Sequence, residues 1–161
     1  MLISKKLNDA INAQIGHEFQ ASMNYLAVAC YYDGQALSQL AAFFFKQAEE
    51  EREHALKFVK YILETGGEVR IPALTAPKYD FKSAEETFKM SVEWEMEVTA
   101  NINHLMDIAV EEKDYIAQQF LDWFTKEQLE EVSTMERLLA VVQRAGEKNL
   151  IMMEAYLSHE D

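Results

Sequence analysis

Residues 68–82, EVRIPALTAPKYDFK, form the stretch that decides how the chain folds. They follow Gly66-Gly67 and contain both prolines of the chain, Pro72 and Pro77. Because proline lacks a backbone donor and disfavours helical geometry in the residue before it, the segment is predicted to be extended. These residues reach roughly 50 Å when extended, and a helix of about 28 residues is roughly 42 Å long. The connection can therefore cross a whole helical bundle, which makes the helices on its two sides parallel.

Long amphipathic segments lie on both sides of this connection. Only 5 Gly and 2 Pro interrupt 161 residues, and apolar residues recur at steps of three and four, so the segments are predicted to be helices. Ser83-x-x-Glu86 is a capping box, Asp114 is a helix cap, and Gly34 is expected to end the first helix in the left-handed conformation. With their caps, the predicted helices are α1 (residues 5–32), α2 (37–65), α3 (83–110), α4 (114–145) and a short α5 (149–157).

The lengths of the connections predict the topology. Short turns join α1 to α2 and α3 to α4, so each pair is expected to be an antiparallel hairpin. With the single long connection between α2 and α3, the predicted fold is an all-α four-helix bundle with one long crossover and a short fifth C-terminal helix. Residues 1–161 are predicted to form one domain.

The charge of the chain excludes one class of partner. There are 28 acidic and 15 basic residues, which give a net charge of −13. Nucleic acid is not an expected partner, because phosphates require a basic surface. The acidic surplus favours cations, although a well-solvated surface gives the same composition.

Other features indicate the compartment. The longest apolar runs, residues 26–32 and 40–45, are far shorter than the roughly 20 residues that span a membrane. The N-terminus does not have the pattern of a signal peptide. A single cysteine, Cys30, excludes an intramolecular disulfide, fits a reducing compartment and is expected to be packed in the core. A cytoplasmic protein without a membrane partner is therefore expected.

Each apolar stripe of the four long helices is interrupted by a side chain of the kind that binds metals. The interruptions are Glu18 in α1, Glu51 and His54 in α2, Glu95 in α3, and Gln128 and Glu131 in α4. One such residue alone is usually a surface residue. The four glutamates all lie near the middle of their helices, however, and therefore at one level whichever way the helices point. The sequence thus predicts a polar layer inside the bundle.

Carboxylates in a dry core need compensating positive charge. The nearby basic residues lie off the inward stripes, so divalent cations are the expected partners. His54 lies three residues after Glu51 on the same helix face and adds a nitrogen ligand. Oxygen ligands with one imidazole are typical of a site that accepts both Fe(II) and Fe(III).

These motifs resemble those of the bacterial and archaeal non-haem ferritins over essentially the whole chain. The matching stretches are residues 18–25, Glu50-Glu51-Arg52-Glu53-His54, Glu95, and residues 123–131. The resemblance implies a ferritin-like bundle with a di-iron ferroxidase centre. It implies that one iron is held by Glu18, Glu51 and His54, and that Glu51 bridges to a second iron held by Glu95 and Glu131.

The resemblance also implies a third, weaker iron site from Glu50, Glu127, Glu130 and Glu131. Glu127 and Glu131 are neighbours on one helix face, which fits this site, but a solvated acidic patch is the alternative.

Three further residues are expected around the ligands. Tyr25 and Trp123 match aromatic positions near the family's di-iron site, where electron donation is a suggested role. Packing alone also accounts for Trp123. Gln128 is expected to contact the ligands and not the iron.

Neighbouring families fit less well, and haem is not expected. Bacterioferritins hold haem with a methionine two residues before the α2 histidine, where this chain has Arg52, and have a histidine where it has Glu131. Rubrerythrins carry a four-cysteine domain, which a single cysteine excludes. The DNA-protecting mini-ferritins lack α5 and build their site between subunits.

The function that the resemblance implies is iron storage with ferroxidase activity. Fe(II) would be oxidised by O2 or H2O2 and stored as ferric oxide inside a hollow homo-oligomeric shell of twenty-four subunits. Two other functions stay open. One is a di-iron enzyme of the same bundle that reduces oxygen or peroxide without storing mineral. The other is a non-catalytic acidic bundle that acts as an interaction module and binds no iron tightly.

Overall fold

A computed structural model describes residues 1–160; Asp161, the last residue of the predicted domain, lies outside the described residues. The architecture is all-α, as predicted, and residues 1–160 contain no strand. The helices are α1 (Lys5–Asp33), α2 (Ser38–Glu64), α3 (Ala84–Glu111), α4 (Tyr115–Ala145), a 3-10 turn (Glu147–Asn149) and α5 (Leu150–Ser158). In this part of the chain no helix is long and apolar enough to cross a membrane.

Capping side chains begin two of the helices where the sequence predicts. Ser83 Oγ accepts a hydrogen bond from the N–H of Glu86 at 3.0 Å, and the Asp114 carboxylate accepts one from the N–H of Ala117 at 2.9 Å. Each cap satisfies a backbone donor that the first turn of a helix leaves free.

The prediction for the end of α1 is wrong. Gly34 has a φ of −62°, and its N–H still bonds the Cys30 carbonyl in the helical manner at 3.0 Å. The left-handed residue is Ala36, with a φ of 58°. The chain reverses there because the N–H of Leu37 returns to the carbonyl of Tyr32 at 3.1 Å.

Contacts with the C-terminal segment show that α2 and α3 run in the same direction. Glu154 accepts a hydrogen bond from the N–H of Gln39, in the first turn of α2, at 2.6 Å. Glu147 accepts one from the N–H of Ala84, the first residue of α3, at 2.5 Å. Both helices therefore begin at the same end of the bundle, which confirms the long crossover. The two predicted hairpins, α1 with α2 and α3 with α4, also form.

Side-chain amides of α1 hold the beginning of the crossover. Asn8 donates to the carbonyl of Glu68 and accepts from its N–H, both at 3.1 Å. One turn later, Asn12 donates to the same carbonyl at 2.8 Å and accepts from the N–H of Arg70 at 2.5 Å. The extended backbone thus obtains from α1 the hydrogen bonds that a neighbouring strand would supply.

The pattern continues along α1 with a close contact and a third amide. Gly16 faces Pro72, and a Cβ at this position would lie 2.3 Å from the Pro72 Cγ. Gln20 donates to the carbonyl of Thr75 at 3.0 Å and accepts from its N–H at 2.8 Å. The crossover is therefore fixed against α1 from residue 68 to residue 75.

The core consists of two apolar clusters, one at each end of the bundle. The cluster next to α5 contains the buried aromatic side chains of Tyr25, Tyr32, Phe44 and Phe88. The other contains Leu7, Ile11, Phe58, Ile102, Leu121 and Phe124. Cys30, which was expected to be packed, is exposed, because Val28 and Ala29 already occupy the inward positions of this turn.

Candidate metal centre

A layer of charged side chains lies between the two apolar clusters. Each of the four long helices contributes, and the members remain between 0% and 6% exposed: Glu18, Glu51, His54, Glu95 and Glu131. Each of them replaces an apolar residue in the inward stripe of its helix, near the middle of that helix. The glutamates that were predicted to share one level of the bundle therefore meet there.

The ligand atoms of this layer form two close groups. One contains Glu18, Glu51 and His54, and the other contains Glu51, Glu95 and Glu131. Within each group, one carboxylate oxygen or imidazole nitrogen per residue lies within 4.8 Å of the others. Glu51 belongs to both groups, and its Oε2 lies 3.1 Å from His54 Nδ1. The layer thus offers two adjacent cation positions that share one carboxylate.

Two buried glutamines that the sequence analysis did not identify as site residues orient the carboxylates. Gln14 Nε2 donates to Glu18 Oε1 at 2.8 Å, and Gln47 Nε2 donates to Glu131 Oε2 at 2.6 Å. The first pair lies one helical turn apart on α1, but the second joins α2 to α4. The sequence does contain a signal that could have identified both glutamines, because Gln14 and Gln47 each stand four residues before a buried glutamate.

Gln128 occupies the supporting position that was expected for it. Its Nε2 lies 3.2 Å from Glu95 Oε2 and 3.1 Å from the Thr99 hydroxyl oxygen. The amide therefore fixes the Glu95 carboxylate from the α4 side, and partners of this kind hold ligands in their binding geometry.

Two carboxylate oxygens of this layer are buried without a hydrogen-bond partner, Glu18 Oε2 and Glu51 Oε1. Both residues belong to the group that contains His54. A buried acceptor left without a donor costs about 1–3 kcal/mol, so such atoms are rare in folded proteins. A cation between the two carboxylates satisfies both oxygens, and the residues present therefore fit a metal ion.

Without cations the carboxylates of this layer resist ionisation. Burial raises the pKa of Glu18 and of Glu51 well above the usual range, and repulsion from neighbouring carboxylates adds to the effect. Burial likewise raises the pKa of Glu95. Burial and the charge of Glu95 raise the pKa of Glu131 to about 8, although the hydrogen bond from Gln47 opposes this shift. Cation binding must therefore displace protons from the layer.

Two aromatic side chains contact the layer in different ways. Tyr25 is fully buried and donates a hydrogen bond from its hydroxyl to Glu95 Oε1, and its ring stacks on Phe44. Burial and the charge of Glu95 raise the pKa of Tyr25 well above its usual range. Trp123 is 38% exposed, and its ring centroid lies 5.4 Å from that of His54.

Of the four residues that the resemblance suggests for a third iron, Glu131 belongs to the layer, and the other three lie beside it, closer to solvent. Glu127 Oε1 is 3.8 Å from His54 Nε2, and these two residues form a third close group with Glu131. Glu50 is half-buried, and its pKa is raised by burial and, to a lesser extent, by the charge of Glu127. Glu130 is exposed and belongs to none of the three groups. Glu127 is too far from His54 for a hydrogen bond but close enough to share an ion with His54 and Glu131.

The donor set determines which ions the layer can accept. Once their protons are displaced, four carboxylates carry four negative charges, which two divalent cations neutralise, and the imidazole of His54 adds a nitrogen ligand. Oxygen donors with one imidazole suit Fe(II), Mn(II) and other ions of intermediate hardness. Carboxylates are hard donors, so the same set also suits trivalent cations.

Similarity to known proteins extends over nearly the whole chain. The family model for the ferritin-like domain matches residues 8–145. The chain is 38% identical to ferritin BfrB of Mycolicibacterium smegmatis over 158 residues, which cover 98% of this chain and 87% of that protein. It is 42% identical to a bacterial non-heme ferritin of Staphylococcus aureus over 146 residues, which cover 91% of this chain and 88% of that protein.

Solved structures agree with the sequence matches. An open pore ferritin from the hyperthermophilic archaeon Archaeoglobus fulgidus has a TM-score of 0.94 at 31% identity, over 99% of both chains. A humanized archaeal ferritin also has a TM-score of 0.94, at 30% identity, over 99% of this chain and 98% of that chain. The family model covers most of the chain and the fold is shared over its whole length, so the chain belongs to the ferritin family.

Proposed function

We propose that the protein stores iron and that each subunit oxidises Fe(II) at the polar layer between the two apolar clusters. Membership of the ferritin family supports iron storage. The observation that carries the oxidation step is the position of Glu51, which belongs to two adjacent groups of buried ligands. Two substrate ions that share this carboxylate can deliver two electrons to one oxidant.

The five ligand residues are divided between two iron positions. Glu18 and His54 hold the first Fe(II), Glu95 and Glu131 hold the second, and Glu51 bridges them. Gln14, Gln47 and Gln128 keep three of these carboxylates in place through the hydrogen bonds described above. A rigid set of ligands favours catalysis, because it needs little rearrangement during electron transfer.

The reaction balances with either oxidant. With hydrogen peroxide, two Fe(II) ions and two protons yield two Fe(III) ions and two waters. With dioxygen, two Fe(II) ions and two protons yield two Fe(III) ions and one hydrogen peroxide. The added positive charge of Fe(III) is stabilised by the buried carboxylates, which are anionic once the ions have displaced their protons.

Storage further requires a container, and we propose a homo-oligomeric shell for it. One solved relative is described as an open pore ferritin. In this chain, α5 exposes large apolar side chains, with Ile151 73% and Met152 65% accessible in the isolated subunit. Apolar surface of this kind is expected to be covered by another copy of the chain. Ferric oxide would then form inside the shell.

The test adds increasing Fe(II) to the purified protein in air, separates it by gel filtration and measures iron across the protein peak. Storage predicts that a very large assembly carries far more iron than the ligands of its subunits can bind. An iron content that stops at a few ions per subunit would instead support a di-iron enzyme without storage. An absence of tight iron binding would support a non-catalytic bundle.

A further inference from the structure

Lys57 lies directly over the indole ring of Trp123. Its Nζ is 3.5 Å from the ring centroid, which is the geometry of a cation–π contact. The same indole meets the imidazole of His54 edge to face, with 5.4 Å between ring centroids. The ammonium group of Lys57 therefore lies over the ring of Trp123, and this ring contacts the proposed iron ligand His54.

The aromatic residues on the other side of the layer lack such a charge. Trp94 packs edge to face against Tyr25, with ring centroids 5.4 Å apart. Among residues 1–160, no lysine or arginine lies over the ring of Trp94 or of Tyr25. The hydroxyl of Tyr25 donates a hydrogen bond to Glu95 Oε1.

A cation over an aromatic ring opposes the loss of an electron from that ring. The neutral indole is attracted to the ammonium group, but an indole radical cation carries a positive charge and is repelled by it. Tyr25 has no cation over its ring, so its oxidation, which releases the phenolic proton and leaves a neutral tyrosyl radical, carries no such penalty. The two aromatic residues near the iron ligands are therefore unequal as electron donors.

From this contact we infer that Lys57 protects Trp123 from oxidation and directs electron loss to Tyr25. The inference rests on the proposed function and concerns turnovers in which only one Fe(II) is bound. Hydrogen peroxide then receives one electron from Fe(II) and one from Tyr25. With the phenolic proton and one proton from solvent it forms two waters, and the products are Fe(III) and a tyrosyl radical. Lys57 is a positioning residue in this step, because its charge acts through Trp123.

The first experiment uses metal-free protein, so that its result does not depend on iron chemistry. Azide radicals, which are uncharged one-electron oxidants, are generated by pulse radiolysis, and oxidation of Trp123 and Trp94 is quantified by peptide mass spectrometry. Because both residues meet the same radicals, the ratio of oxidised Trp123 to oxidised Trp94 does not depend on the dose of radicals in a sample. Lys57→Gln is expected to raise the Trp123 to Trp94 ratio about fivefold at low ionic strength, since two unit charges at this distance repel even in water.

Two further variants control for steric and general charge effects. Lys57→Arg keeps the cation over the ring and is expected to keep the wild-type ratio. Lys60→Gln removes a charge from the same surface, where Lys60 pairs with Glu64 at 3.6 Å, and is also expected to leave the ratio unchanged. An unchanged ratio in Lys57→Gln, or an equal rise in Lys60→Gln, would overturn the proposal. Both lysine side chains are exposed, so folding is not at risk.

The second experiment tests the step with iron. Protein with one Fe(II) per subunit is mixed with hydrogen peroxide, frozen and examined by electron paramagnetic resonance. The wild type is expected to show a tyrosyl radical, and Lys57→Gln a larger share of tryptophan radical. If Lys57→Gln raises the ratio of oxidised Trp123 to oxidised Trp94 but neither protein oxidises iron, the protection of Trp123 by Lys57 stands and the proposed function fails. If iron is oxidised and the radical distribution is the same in both proteins, the inference fails and the proposed function stands.

Discussion

At the scale of single residues, Glu51 belongs to both close groups of ligand atoms, and one of its oxygens has no hydrogen-bond partner. The helix-mate His54 and the glutamates of three other helices converge on it. Buried charge of this density is found at sites that bind ions, because an unpaired carboxylate is strongly disfavoured in a core.

Replacing Glu51, the proposed bridging carboxylate, should remove the oxidation step. For Glu51→Gln, we expect the initial rate of Fe(II) oxidation to fall by about 100-fold or more, since loss of a residue that merely orients a ligand already costs about 10- to 100-fold. The rate is measured by absorbance after mixing with Fe(II) in air. Glu53→Gln, an exposed site two residues away, is the control and should match the wild type. Equal rates in both variants would mean that oxidation takes place elsewhere.

Glu131 should make the stability of the metal-free protein depend on pH. Its pKa is about 8 in the folded chain, against an ordinary value of 4.5. The unfolded chain therefore loses this proton at lower pH than the folded chain, and the free energy of unfolding falls as pH rises from about 4.5 to about 8. Below this window both states hold the proton, and above it neither does.

Glu131→Gln should remove this dependence. We expect the variant to gain stability over the wild type, and the gain to be about 1–3 kcal/mol larger at pH 8 than at pH 5.5. Denaturant unfolding in the presence of a chelator measures it. Glu136→Gln, an exposed position on the same helix, is the control. A gain that is the same at both pH values, or larger at pH 5.5, would contradict the assignment of a raised pKa to Glu131.

At the scale of elements, α1 is both a wall of the candidate centre and the support of the crossover. Its inward face carries Glu18 and Tyr25, while Asn8, Asn12 and Gln20 bind the extended segment. Backbone groups of an extended chain need partners when no strand is present, and amides repeated along a helix supply them. Gly16 allows the closest approach in this series.

The contact between Gly16 and Pro72 can be tested with a double-mutant cycle. Gly16→Ala should lower the free energy of unfolding by about 1–3 kcal/mol, because the new methyl group overlaps the proline ring. In a Pro72→Ala background the same change should raise stability by up to about 1 kcal/mol, since alanine favours the helix. Chemical denaturation of the metal-free protein measures both. A loss of equal size in the two backgrounds would show that Pro72 is not the obstacle.

At the scale of the whole molecule, α5 packs on the bundle with one face and exposes the other to solvent. Its buried residues Met153 and Leu157 pack on the core, and Glu154 caps the first turn of α2. Its opposite face exposes Ile151 and Met152. The helix is therefore anchored on one side and has apolar surface available for another subunit on the other.

A charge on this exposed face should weaken assembly and leave the iron chemistry intact. Ile151→Glu is expected to shift the protein to smaller species in sedimentation velocity, because burying a carboxylate in an apolar interface is strongly disfavoured. Its initial rate of Fe(II) oxidation per subunit should remain that of the wild type, while iron retained after gel filtration falls. Ser158→Glu adds the same charge at an exposed polar position of α5 and is the control. Unchanged assembly in Ile151→Glu would exclude this face from the contact.

Much of the fold and of the ligand layer could be predicted from the sequence, because both depend on periodicity along single helices. Steps of three and four residues predict the four long helices, and Gly66, Gly67 and two prolines predict where the crossover lies. Mid-helix positions predict that the four glutamates share a level. These predictions need only the regular rise of a helix, which local hydrogen bonds set.

The tertiary structure alone decided which atoms meet. Gln47 reaches Glu131 across the bundle, and Lys57 lies over Trp123, although neither pair is close in sequence. The left-handed residue of the first turn is Ala36 and not Gly34, because the returning hydrogen bond to Tyr32 sets its position. Sequence by itself determined the helices, the crossover and the level of the carboxylates. Their partners and protonation depend on burial and on distances between helices, which exist only once the helices have packed.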